Sequence, residues 1–204
     1  MSFNDEYYFI SLPRGDNPVP YLVPDKHTKD RSFRYEAQPM GSPPLVFHND
    51  LDESEVLDGA YTVAGPVLFA GTDLVVNDVI REKLIDLNIP GMHMHSTIYI
   101  DERNRWHENY WYLTFSTPLD CWDRMTSTVA KTGPITLGGF ELFEVNKFNL
   151  DDKVLNALPL RERRLFKMAG VLGAKVTAHQ SVAALFKGIA GDSVDLIPIS
   201  AYGS

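Results

Sequence analysis

Three histidines carry the most direct suggestion of chemistry in this sequence. His93 and His95 stand two apart in a run that alternates apolar and polar residues, so a strand would turn both rings to one face, with His107 on the apparent partner strand. Imidazoles grouped in this way can hold zinc, with Glu108 as an outer carboxylate or base, and the reaction would be metal-dependent hydrolysis. The pattern stops short of a site, because no further ligand is indicated. A solvent-facing pair on an amphipathic strand is the simpler account. Trp106 and Trp111, beside Arg103 and Arg105, are residue types that stack on nucleic-acid bases, and equally the types that anchor a protein interface or fill a core. Cys121 is the single cysteine, either a nucleophile or a small buried side chain, and the second reading is preferred. Asp151 and Asp152 can bind a cation, but acidic residues opening a helix are explained by its dipole. There is no phosphate-binding glycine loop, nucleophile elbow or kinase signature, and Gly138-Gly139 stands alone.

The elements that must position these groups are legible in outline. Tyr7 to Leu12 has the aromatic and β-branched content of a strand, and Pro13 to Pro18 stops it. The stretch on to Pro44 reads as a loop-rich arm. Leu45 to Phe47 and Val67 to Ala70 are short strands; Asn77 or Asp78 caps a helix with Val79, Ile80, Lys83, Leu84 and Leu87 on one face, which Pro90-Gly91 ends. Met92 to Ile100 and Trp106 to Phe115 predict a long antiparallel hairpin with a charged tip, Asp101 to Arg105. Leu119 to Ala130 is a short helix or loop, Gly138 to Val145 a strand, and Asp151 opens another helix.

Bulk properties narrow the function classes. At 204 residues and 44% hydrophobic content the chain can bury one sizeable core. The net charge of -8 argues against a nucleic-acid groove and favours a basic partner, and a dense acidic stretch runs through Asp50, Asp52, Glu53, Glu55 and Asp58. No apolar run approaches the roughly 20 residues of a membrane helix, and Met1 to Glu6 lacks the features of a secretory signal, so a cytoplasmic location is expected.

A strand–helix–strand phrase is written twice, at about 74–100 and 175–199. Val75 aligns with Val176 and Leu84 with Leu185; after a one-residue slip Gly91 aligns with Gly191 and Met94 with Val194. The phrase Leu74-Val-Val-Asn-Asp-Val-Ile-Arg-Glu-Lys-Leu84, its glycine-stopped continuation, and Val176 to Leu185 ending in Val194 to Ile199 resemble the immunity protein eleven family. The resemblance covers roughly residues 45 to 200. It implies a small cytoplasmic antitoxin encoded beside a bacterial polymorphic toxin. It implies no catalytic residues and no fixed toxin-binding set.

Strands before, between and after helices, without regular alternation, predict an α+β fold with mostly antiparallel sheet. The expected organisation is an arm over 1–44 and one domain over 45–204 with an internal near-duplication. The expected function is that of an immunity protein without cofactor, metal, nucleic-acid or membrane partner, which occludes a basic toxin. Its expected anchors are Asp50, Asp52, Glu53, Glu55 and Asp58, the tip residues Asp101, Glu102, Arg103 and Arg105, and the flanking Trp106, Tyr110 and Trp111. The alternatives are a metal-dependent hydrolase using His93, His95 and His107, and a homo-oligomeric scaffold.

Overall fold

The computed structural model describes residues 2–14, 19–50 and 62–203. The fold is α+β with mostly antiparallel sheet. Strands are numbered in chain order. The larger sheet has the order β2 (Leu22–Pro24), β3 (Leu45–Asn49), β6 (Met92–Ile100), β7 (Trp106–Phe115), β5 (Asp73–Asn77), β4 (Val67–Ala70). β3 and β6 run parallel and the other neighbours antiparallel. Its two edges meet, because Tyr21, next to β2, bridges Phe69 of β4 and so curls the sheet into a small closed barrel. A barrel of this size is filled by its own side chains. Leu22, Leu45, Phe47, Leu68, Val75, Tyr99, Tyr110 and Tyr112 supply the filling, with Phe33 packed edge-on against Phe47 and Tyr112.

The smaller sheet has the order β12 (Leu165–Lys167), β13 (Val176–His179), β1 (Tyr7–Ser11), β14 (Asp195–Pro198), all antiparallel. It is covered on both faces. Ile10, Leu165, Val176 and Ala178 join Leu74, Val76, Leu113 and Phe115 from the outside of the barrel in one core. Tyr7, Phe9 and Phe166 face Trp122, Phe148, Leu155 and Met168 in another. Two short ribbons complete the strands: β8 (Thr128–Val129) with β11 (Val145–Lys147), and β9 (Ile135–Leu137) with β10 (Phe140–Leu142). Among the described residues the α-helices are α1 (Lys26–Lys29), α2 (Asp78–Asp86), α3 (Asp152–Ala157) and α4 (Gln180–Ala190). No helix among the described residues is long and apolar enough to cross a membrane.

Two strand–helix–strand units share a topology, in a register shifted from that of the sequence alignment. Asn77 caps α2 by accepting from Ile80 N at 3.2 Å, and His179 caps α4, its ring accepting from Ser181 N at 3.2 Å. Matching the caps pairs Ile80 with Val182 and Leu84 with Phe186, all buried in the shared core, whereas Leu185 is only partly buried. Leu84 therefore corresponds to Phe186. The topology matches as well. β5 and β6 flank β7 with α2 between them in sequence; β13 and β14 flank β1 with α4 between them; and β4 and β12 pair outside β5 and β13. The second unit is thus a circular permutation of the first, with its inner strand drawn from the other end of the chain.

This corrects the expected organisation at residue 44. β1 is not part of an arm: it is an inner strand of the smaller sheet, and Leu22 and Phe33 from the rest of that segment fill the barrel. The expected end of α2 also moves. Asn88, with φ 45°, takes the left-handed position just past Asp86 and Leu87, before Pro90-Gly91 is reached.

Candidate functional site

The charged tip of the β6–β7 hairpin is built around one carboxylate. Asp101 Oδ1 accepts from Arg103 N and Arg105 N, both at 2.9 Å, while Oδ2 accepts from Arg105 Nε at 2.7 Å and meets His107 Nε2 at 3.1 Å. Arg105 Nη2 completes the ion pair at 2.7 Å. Burial would raise the Asp101 carboxyl, but the hydrogen bonds from Arg105, His107 and Arg103 outweigh it and hold the group well below the usual carboxylate range. Asp101 is 7% exposed. It is an organiser of the turn and not the contact anchor expected of it.

A bulge decides which side chains share the inner face. Thr97 pairs with Tyr110 but Tyr99 pairs with His107, so β7 carries one extra residue there. His107 and Tyr110, three apart, consequently point the same way, which strict alternation forbids. The His107 ring stacks on Tyr99 with centroids 5.3 Å apart and planes 19° apart, and from there reaches Asp101. These groups open onto a cleft of about 510 Å³ at the hairpin end of the barrel, lined among others by Tyr99, Glu102, Arg103, Arg105, His107 and Tyr110. Tyr110 donates its hydroxyl to Gly65 O at 2.8 Å, and Glu102 accepts from Thr62 N at 2.9 Å. Burial pushes the Tyr99 and Tyr110 phenols up to about 12, so both stay neutral. The cleft is polar and mixed in charge, suited to hydrogen bonding with a peptide or a small polar group.

The expected anchors divide sharply. Glu102, Arg103 and Arg105 stay at the cleft, and Trp106, 62% exposed, stands beside it at the start of β7. Tyr110 is 4% exposed and belongs to the barrel core, although it also lines the cleft. Trp111 is half-buried and engaged within its own chain: its Nε1 donates to Asp78 Oδ1 at 2.7 Å and Arg81 lies 3.9 Å from its ring centroid. Asp50 is exposed next to β3. Asp52, Glu53, Glu55 and Asp58 lie outside the described residues.

The three histidines do not converge. His95 pairs with Tyr112 and His107 with Tyr99, four residues further along β6, which is roughly 13 Å of strand. His93 Nε2 meets Ser116 Oγ at 3.1 Å. Among the described residues no group of three or more His, Cys, Asp or Glu side chains is placed to hold a metal ion. Cys121 is fully buried against Met168, and burial pushes its thiol far up, which disfavours the thiolate a nucleophile needs. Set against known proteins, the chain matches no family model and no curated protein sequence.

Sequence reading missed two features. Lys167 is buried in an ion pair with Asp73. The Gly138-Gly139 pair turns a hairpin, β9 to β10, where one strand was expected. The second was signalled by Ile135-Thr-Leu-Gly-Gly-Phe-Glu-Leu142, an apolar alternation symmetrical about a two-glycine turn.

Proposed function

We propose that this chain is an immunity protein of the immunity protein eleven type, which works in the cytoplasm by binding a basic, cognate bacterial toxin and occluding it. One observation carries the reading: Trp106 is held out in solvent at a tip whose conformation is fixed by Asp101, with Arg103 and Arg105 beside it. Tryptophan and arginine are the residues most often found to dominate a protein interface, and a tip already rigid loses little entropy when it docks. The net charge of -8 speeds encounter with a basic protein, since steering raises association rates by roughly 10 to 1000-fold. The sequence resemblance points the same way.

The test is direct binding between this chain and the purified product of the adjacent gene, followed by calorimetry over several salt concentrations. Wild type is expected to bind, with affinity that falls as salt rises, and Trp106→Ala is expected to lower affinity by about 10-fold or more. Failure of wild type to bind, or failure of co-expression to protect cells from that product, defeats the reading.

A further inference from the structure

Residues 128–147 form a ribbon with a firm root and an apolar end. At the root Val145 is buried, Ala130 N donates to Glu144 O at 2.8 Å, Phe143 N donates to Gly170 O at 3.0 Å, and Leu172 N donates to Phe143 O at 2.8 Å. The Phe143 ring stands edge-on to Trp122 with centroids 5.5 Å apart. Beyond this root β9 and β10 pair, among the described residues, only with each other. Gly138 and Gly139, with φ 59° and 84°, make the tight turn that only glycine adopts without strain at both positions.

The pairing register sorts the side chains of this end. Ile135 opposes Leu142 and Leu137 opposes Phe140, so these four share one face while Thr136 and Glu141 share the other. Ile135, Leu137 and Phe140 are 54%, 66% and 72% exposed. An isolated two-stranded ribbon is marginal in water, and a contiguous exposed apolar face marks a place where something binds.

Shape and charge select the occupant. A second copy laid against the apolar face would bring like charge, since each copy carries -8. A groove encloses a projecting ribbon on both faces and around its turn, and so buries far more of it. Between Ile135 and Leu142 the only charged side chain is Glu141, so this end of the ribbon brings an anion and no cation into such a groove, Lys131 and Lys147 lying nearer the root. We infer that Ile135–Leu142 is an inhibitory wedge that inserts into a recessed groove of a basic protein, with Leu137 and Phe140 against its apolar floor and Glu141 toward its basic rim. This rests on the function proposed above and names a second contact surface for it.

The experiment compares wild type, Leu137→Ser with Phe140→Ser, Glu141→Lys and Trp106→Ala for binding to the purified adjacent-gene product. Hydrogen exchange is read on the complex, and sedimentation on each free protein. The serine pair, at exposed positions, is expected to keep the wild-type melting temperature while losing about 100-fold or more in affinity. Glu141→Lys is expected to weaken binding and flatten its salt dependence, and the amides of 135–142 to gain protection in the complex. Unchanged affinity in the serine pair and in Glu141→Lys, with wild type still bound, overturns the wedge and leaves the proposed function intact. Absence of wild-type binding overturns both. A wild-type dimer dispersed by the serine pair assigns the face to a second copy and overturns the wedge.

Discussion

Lys167, on β12, donates to one carboxylate oxygen of Asp73, on β5, across the boundary between the two sheets, and Tyr112 donates its hydroxyl to the other oxygen at 2.5 Å. Both members of the ion pair are buried. Burial, then the Asp73 charge, pushes the Tyr112 phenol up, so it remains a donor. Removing one partner strands a charge away from water. Lys167→Met is expected to cost about 3–5 kcal/mol in unfolding free energy, and the double change with Asp73→Asn to recover most of that loss. Urea midpoints for both single variants and the double variant close the cycle.

Acid should act in two stages. His95 and His179 lie below the ordinary value of 6.5, in each case chiefly through burial; for His179 this outweighs the Glu6 carboxylate at 3.5 Å. Their unfolded forms bind protons more readily, so stability is full above pH 6.5 and declines as pH falls below it. Asp101 is depressed below 3.8, so its contribution is full above that pH and is lost as pH drops further through the folded value. Urea titrations from pH 8 to 3 should show both declines, and His95→Gln should reduce the first.

The Cys121 thiol is expected to be inert to an aromatic disulfide reagent in the native protein and to react promptly in concentrated urea. Burial accounts for both, through access and through the raised pKa. Prompt native reaction would contradict the packing against Met168.

Phe9 tests the position of β1. It is fully buried between Phe148 and Tyr202, with ring centroids 5.1 and 5.0 Å away. Phe9→Ala is expected to cost about 3–5 kcal/mol, a loss that a detached arm would not show. Calorimetric melting is the measurement.

What could be read from the chain depended on the range of the interaction. The β6–β7 hairpin and α2 with its Asn77 cap are local, and alternation and capping identified them. The partners of β1 are β13 and β14, far along the chain, and no local pattern announces such a pairing. Asp101 looked like a solvated tip residue because its acceptors are satisfied by the backbone of its own turn, a geometry that composition does not encode. The bulge that aligns His107 with Tyr110 breaks the two-residue period on which the strand reading relied. Lys167 was lost among neighbouring cations because burial depends on Asp73, on the other sheet. The glycine hairpin is legible in its own residues, Ile135 to Leu142.

The permuted second unit sets a timetable for synthesis. Everything the barrel needs is present once Phe115 has been made, but β1 must wait for Val176 and beyond. At roughly 5–20 residues per second the stretch from Phe115 to Val176 takes about 3–12 seconds. Throughout it a strand reading Tyr7-Tyr-Phe-Ile10 hangs beside a finished barrel with its hydrogen-bonding edges bare. The nascent chain is then most open to chaperone capture or to mispairing with a neighbour on the same message.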